Sequence, residues 1–459
     1  MLQFSSTLMR IPRIAVVLII LPLHAWAGND AAWKTAEEPS QLAASDDVDL
    51  RGQLTYIFQH KPPFEAAYTL PGYNSLSPDK ELSHSASATA YLGRRLWQGA
   101  ELYLNGEMVL GAPFSGLTGL ASVPNGELQK ASGPNPLFYA PRVFLRQTWA
   151  LGGEQEKIDA GINQLSNVTT TRRIVLSAGK MSVVDIFDVT TGAHDARNDF
   201  MNWVNVAAGA FDYAADVRGY SWGPAIELYL DNWAFRGGRF AVPRESNGLQ
   251  LNYSLMNFHG DQIEIVRNHD LAGLDGKLRL LIFRNREYMG RFDDAMAFAA
   301  THGGGAPDVA KVRGPASKHG HIASVEQQLN KDVRFFSRWS WNDGQSEMFS
   351  YTEAERSTQM GVSVLGTAWE RGNDTVGIAY TQNGLSKQHQ DYLAAGGVGF
   401  LIGDGRLDYR PERLFESYYR IMLANAAWLT FDVQRIANPA YNADRGCVYF
   451  YGLRTHVEF

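Results

Sequence analysis

Arg94, Glu107, Arg146, Lys180, Arg218 and Glu227 are charges of both signs set in segments otherwise built from small, aliphatic and aromatic side chains. Guanidinium and ammonium groups only donate hydrogen bonds and carboxylates only accept them. A wall carrying both can exchange partners with a sugar, whose hydroxyls do either. Asp185, Trp203 and Arg239 extend the set with a further acceptor, an indole face to cover the apolar C–H surface of a ring, and a further donor. The competing reading of any one of these charges is that it pairs with another inside the protein.

Catalytic motifs are missing. The chain has no His-Glu-x-x-His zinc pair, no Gly-x-Ser-x-Gly elbow and no phosphate loop ending Gly-Lys-Ser/Thr. Gly397, Gly399 and Gly403 lack the strand-to-helix setting of a dinucleotide fingerprint and read as loop glycines. His319 and His321 have no evident third metal ligand and read as part of a solvated glycine-rich loop. Asp185 and Asp188 are placed like the acid and base of a glycosidase only along the chain, which does not fix the through-space separation such chemistry requires. They read better as structural or pore-lining carboxylates. Cys447 is the only cysteine, so neither an intramolecular disulfide nor a Cys-based metal cluster can form. No cofactor, metal or catalytic residue is expected.

The elements that must position these side chains are strands. Residues 448–459 alternate strictly, with Tyr449, Tyr451, Leu453, Thr455, Val457 and Phe459 on one face and Phe450, Gly452, Arg454, His456 and Glu458 on the other. One face suits lipid and the other water, and an aromatic C-terminal residue is what outer-membrane barrels usually offer their assembly machinery. The same alternation recurs at 53–59, 85–94, 100–110, 142–151, 174–180, 220–230, 233–242, 249–257, 262–268, 277–285, 322–329, 333–341, 359–369, 375–381, 413–423 and 428–435. That makes 17 candidates, whereas a bacterial single-chain barrel has an even number. The pattern therefore predicts an all-β, transmembrane antiparallel β-barrel of about 16 strands, with 18 as the alternative. The uncertain stretch lies between Glu287 and Ile322, where 293–301 looks helical and 303–320 gives no strand signal.

Loop lengths orient the barrel, because periplasmic turns are short and extracellular loops long. Residues 97–99 should be periplasmic and 112–141 extracellular. Residues 181–216 form a further long external loop, with Phe200, Trp203 and Val204 at helical spacing among Asp188, Asp195, Arg197, Asp199, Asp212 and Asp216. A loop so charged and aromatic is expected to fold inward and constrict the pore. Lys180, Asp185, Trp203 and Arg218 would then shape an eyelet together with Arg94, Glu107, Arg146, Glu227 and Arg239.

The N-terminus points out of the cytoplasm. Arg10 and Arg13 precede an apolar run at 14–23, and His24-Ala25-Trp26-Ala27 supplies the small residues of a cleavage site. Residues 1–27 read as a signal peptide, 28–50 as a polar segment and 51–459 as the barrel. The whole chain has a formal net charge of −6, which becomes −8 once the two leader arginines are removed. That balance argues against nucleic acid. No later run is long and apolar enough for a helical span, so the membrane interior is reached only as a closed barrel.

From Gly179 the chain reads GKMSVVDIFDVTTGAHDARNDFMNWVNVAAGAFDYAADVRGYSWG, and GGRFAVPRESNGLQLNY, KLRLLIFRNR, GLSKQHQDYLAAGGVGFLIGDG and the terminal NPAYNADRG and YGLRTHVEF follow. These blocks resemble the carbohydrate-selective porins of the OprB type, over roughly 51–459. The resemblance implies a 16-stranded barrel that passes glucose-like monosaccharides across the bacterial outer membrane by facilitated diffusion. Two positions depart from it: Cys447 stands where proline is expected, and Gly192 where a bulkier residue is common, which could alter the pore width. The implied partners are carbohydrates, outer-membrane lipid and lipopolysaccharide, and the barrel assembly machinery, with a homotrimer or a monomer both open. A second reading is an outer-membrane hydrolase acting on lipids or glycans, and a third a soluble periplasmic β-protein.

Overall fold

The computed structural model describes residues 47–131 and 133–459. The expected signal peptide and most of the polar segment lie outside the described residues. Every alternating segment but 249–257 is a barrel strand, beginning with β1 Val48–Lys61, β2 Glu81–Trp97, β3 Ala100–Ala112, β4 Leu137–Ile158, β5 Asn167–Met181, β6 Ser221–Leu230 and β7 Trp233–Phe240. A two-stranded ribbon follows, β8 Val242–Pro243 with β9 Leu251–Asn252. The series resumes with β10 His259–Leu271, β11 Leu274–Met289, β12 Gly314–Gln328, β13 Val333–Asn342, β14 Arg356–Gly366, β15 Arg371–Gly384, β16 Glu412–Ala424, β17 Ala427–Ala437 and β18 Val448–Glu458. All except β8 and β9 form one closed antiparallel barrel of 16 strands.

The surplus segment of the sequence count is 249–257, not one between Glu287 and Ile322. Barrel pairing of β7 with β10 ends at Phe240, and the chain then turns back on itself as the β8–β9 ribbon, with Pro243, which has no N–H to donate, opposite Leu251 and Arg244 N–H donating to the Gln250 carbonyl. Alternation in 249–257 is thus that of an external loop. Residues 293–301 are helical as expected, in α2 Phe292–Thr301. The glycine-rich stretch differs from expectation, because β12 begins at Gly314. His319 and His321 therefore lie on its exposed face, His319 against Asp343 at 2.9 Å and His321 stacked on Trp341 at 5.2 Å.

Closure places Gln53 opposite Glu458 and His60 opposite Tyr451. Every strand edge is paired by this closure, as a hydrocarbon environment demands. Leu54, Tyr56 and Phe58 point outward while Gln53, Thr55 and Gln59 are buried inside. The outward band continues through Ile263, Ile265, Leu278, Leu280 and Ile282, with Leu280 63% exposed. In water this surface would be a liability; against lipid it is the stabilising face. Phe459 completes the seam: its backbone exchanges two hydrogen bonds with Gly52, and its ring lies where a Cβ on residue 52 would come within 2.3 Å. Gly52 is the glycine this close approach requires.

Short turns occupy one end, including 98–99, 231–232 and 272–273, and long connections the other. The long-loop end is extracellular by the rule for outer-membrane barrels. From it several segments descend into the lumen: 113–131, 182–220, 343–355 and 385–411, the last holding α3 Lys387–Ala394. Phe187, Phe200, Trp203, Val204 and Phe211 of 182–220 are buried there. The helical spacing of Phe200, Trp203 and Val204 yields only one turn, α1 Trp203–Val206, capped by Asn202. Elsewhere the loop alternates short turns, such as Asp199 N–H to the Asp195 carbonyl, with backbone groups held by side chains of the barrel wall, such as Met201 N–H by Glu416.

Candidate functional site

Along β12–β18 the inward charges hold the loop. Glu416 on β16 accepts from Met201 N–H at 2.6 Å, Asn202 N–H at 3.0 Å and the Asn205 side-chain amide at 2.6 Å. Arg454 on β18 donates to the carbonyls of Ala196, Asp199 and Asn198 at 2.7 to 3.1 Å. Arg338 on β13 donates to Thr190 Oγ1 at 3.0 Å and to the Ala193 carbonyl. Lys318 on β12 pairs with Asp212 at 3.0 Å, and Asp212 also accepts from Phe349 and Ser350 N–H. All four wall side chains are buried; loop backbone accounts for most of the partners of Glu416, Arg454 and Arg338, and the Asp212 carboxylate answers Lys318.

Space for a solute lies against the opposite wall. An outer chamber of about 520 Å³ is bordered by Tyr91, Arg142, Phe144 and Arg146 on the barrel and by Lys130, Asp185, Arg197, Trp203, Arg218, Tyr220 and Tyr351 of the inward loops and strand ends. Below it, an inner chamber of about 380 Å³ is bordered by Glu101, Arg146, Arg173, Glu227, Tyr229, Arg236, Lys277 and Arg279. Arg146, Gln164, Asp185 and Val189 border both chambers. No residue of β12–β18 borders either.

Aromatic rings fix the orientation of the cations. Arg218 lies over Tyr139 at 4.7 Å, Arg142 over Tyr220 at 5.2 Å, Arg146 over Tyr103 at 5.0 Å and Arg173 over Tyr229 at 4.2 Å. A guanidinium stacked on a ring keeps its edge N–H groups free to point at a partner. Arg142 uses them on Asp185 in a bidentate pair of 2.6 and 2.7 Å. Desolvation pushes the Asp185 carboxyl upward, but the Arg142 charge and hydrogen bonds outweigh it and hold it below the ordinary carboxylate range. Desolvation likewise opposes the charge on Arg197, and the carboxylates of Glu127 and Glu107 keep it protonated, well above its ordinary value.

Five of the nine residues singled out in the sequence border this path, and a sixth, Glu107, faces inward without bordering it. Arg146, Asp185, Trp203 and Arg218 border the outer chamber, and Glu227 the inner one, where it pairs with Arg236 at 3.0 Å. Glu107 faces inward, but it is an anchor: Arg197 of the loop reaches it at 2.6 Å, and Thr89 and Tyr139 hydroxyls donate to it. Trp203 is only 3% exposed, its indole N–H bonded to the Ala121 carbonyl at 2.7 Å. It borders the chamber without offering an open ring face.

Three residues face the wrong way for an eyelet. Arg94 shares the outer face of β2 with Leu82 and Leu96, and its neighbour Arg95 points inward. Arg239 pairs with Asp261 at 2.7 Å on the outer face, and Arg236 is the inward cation of β7. Lys180 stands opposite outward Trp222 and donates to the Ala140 carbonyl at 2.9 Å. In each case strand parity was assigned one residue out, which moves a side chain to the other surface. Gly192 sits against Ser363 of β14 on the filled side, where it borders neither chamber. The sequence reading missed Arg142, Arg197, Arg236 and Arg279. Arg142 was findable, since it shares a strand face with Arg146.

The model of the carbohydrate-selective porin family, OprB, matches residues 73–459. No curated protein matches the chain in sequence. Among solved structures the chain is similar to Pseudomonas putida OprB at high pH, with a TM-score of 0.68 at 14% identity, covering 90% of this chain and 94% of that one. It is also similar to Pseudomonas aeruginosa OccK5 (OpdH), with a TM-score of 0.43 at 10% identity, covering 90% and 98%. The first likeness supports the barrel fold.

Proposed function

This chain belongs to the OprB family of carbohydrate-selective porins, and on that premise we propose how an outer-membrane sugar porin of this sequence conducts. Monosaccharides pass from the outer chamber to the inner one along the wall of β1–β7, β10 and β11, handed between stacked arginines and carboxylates. The path is a passive channel without cofactor or catalytic step. The observation that carries this reading is the pair of chambers joined at Arg146 and Asp185. Arg142, Arg146 and Arg218 donate to sugar oxygens, while Asp185 and Glu227 accept from sugar hydroxyls. Each new bond replaces one lost to water, so binding is weak enough for release.

The apolar outer face meets lipid, and the exposed Phe459, at 73%, supports recognition of the terminal strand by the assembly machinery. Titrating glucose and a disaccharide against single-channel current tests the reading. Saturable block by the monosaccharide is expected. Current that flows but is insensitive to every sugar would refute it.

A further inference from the structure

The connection between β4 and β5 belongs to the periplasmic end, where the other turns are short. It is longer than they are, and it folds back into the barrel. Leu165 is buried against Tyr103, whose hydroxyl accepts from Leu165 N–H at 3.0 Å. Arg146 donates to the Asn163 carbonyl and to Gln164 Oε1, both at 3.0 Å. Arg95 donates to the Ser166 carbonyl at 2.9 Å. Asn163 takes a left-handed φ of +53° to make this return, a conformation asparagine tolerates better than most residues.

The folded turn stands in the conduction path. Ile162, Asn163 and Gln164 border the outer chamber, and Gln164 also borders the inner one. The junction between chambers is thus built from two sides: Asp185 and Val189 come from the extracellular loop, Gln164 from the periplasmic turn, with Arg146 on the wall between them. Arg146 therefore has two tasks, since the guanidinium that faces the solute also latches the turn.

We infer that residues 161–165 are a size-selecting element of the pore, the periplasmic half of its constriction. This rests on the sugar-channel reading for what is being sized, though not for whether the turn obstructs the path. Ile162, 44% exposed in the lumen, presents an apolar side chain there, and Leu165 and the three hydrogen-bonded latches keep it in place.

Two variants of the full chain test this in planar bilayers. Replacing residues 161–165 with two glycines should raise single-channel conductance about twofold or more and let a disaccharide permeate that the parent excludes. Independently, I162C in a Cys447→Ser background should lose at least half its conductance, an order-of-magnitude expectation, when a charged water-soluble thiol reagent is added. The Cys447→Ser protein alone should not respond. If the shortened variant does not assemble, the cysteine variant decides. Unchanged current after confirmed modification at 162, or unchanged conductance and size cut-off in a folded shortened variant, would overturn the inference. Current without sugar block in the parent would instead refute the sugar reading and leave these conductance tests standing.

Discussion

The walls of β12–β18 and of β1–β7 carry the same kinds of inward residue, yet their charges end in different places. Arg338, Glu416 and Arg454 terminate on loop backbone and are fully buried. Arg142, Arg146 and Arg173 lie over aromatic rings and border open space. One half of the barrel thus spends its polar groups on holding a loop, and the other presents them to whatever passes. Glu107 marks the boundary, being on β3 but tied to Arg197 of the loop. The residue type of an inward charge therefore does not reveal its role; the partner does.

The largest effect should come from breaking an anchor. Glu416→Ala leaves Met201 and Asn202 N–H and the Asn205 amide without their acceptor. It should cost about 3 kcal/mol, since an unpaired buried donor costs about 1–3 kcal/mol. Faster proteolytic nicking within 182–220 and a larger, noisier conductance are the expected readouts. A quiet, protease-resistant channel would erase the distinction between the two walls.

Arg146→Ala should come next, with sugar block weakened about tenfold, equivalent to about 1.4 kcal/mol of lost binding. Barrel melting should shift little. A change confined to stability would move Arg146 into the anchoring class.

A pH titration sharpens the contrast further. The folded Asp185 carboxyl is held below its unfolded value of about 3.9, so the Arg142 pair contributes fully above that value and is lost as pH falls through the lower folded one. The part of sugar block that Asp185→Asn removes should be flat from pH 8 to about 5 and decline only below about 4. Decline between pH 5 and 7 would mean Asp185 is not held by Arg142.

The smallest effect should belong to the outer face. Arg94→Ala and Arg239→Ala should leave sugar block unchanged within error, because neither borders a chamber. An Arg94 effect as large as that at Arg146 would contradict the assigned parity of β2.

Much of this was legible in the sequence, for identifiable reasons. Period-2 alternation reports a barrel strand wherever one face meets lipid, so all 16 barrel strands were among the 17 candidate segments, and the even strand number of such barrels favoured 16. It fails in doublets such as Arg94-Arg95, where both candidates are cations and the pattern gives no parity. It also fails at 249–257, where a loop alternates by chance and β7 had already left the barrel ladder after Phe240. The inward course of 182–220 was readable from its charges and aromatics, but not which wall would receive it. That depends on contacts between Met201 and Glu416, or Ala196 and Arg454, which lie more than 200 residues apart. The inward turn at 161–165 carried no signal, since nothing in Gly161-Ile162-Asn163-Gln164-Leu165 distinguishes a turn that returns into the lumen from one that ends in the periplasm.

The most direct test of the two-wall account is single-channel current through Arg146→Ala and the parent, each titrated with glucose. The account predicts saturable block in the parent and, in the variant, an open and stable channel whose block needs about tenfold more sugar. Equal block in the two channels would contradict it, because the solute would then be passing somewhere other than the wall that Arg146 lines.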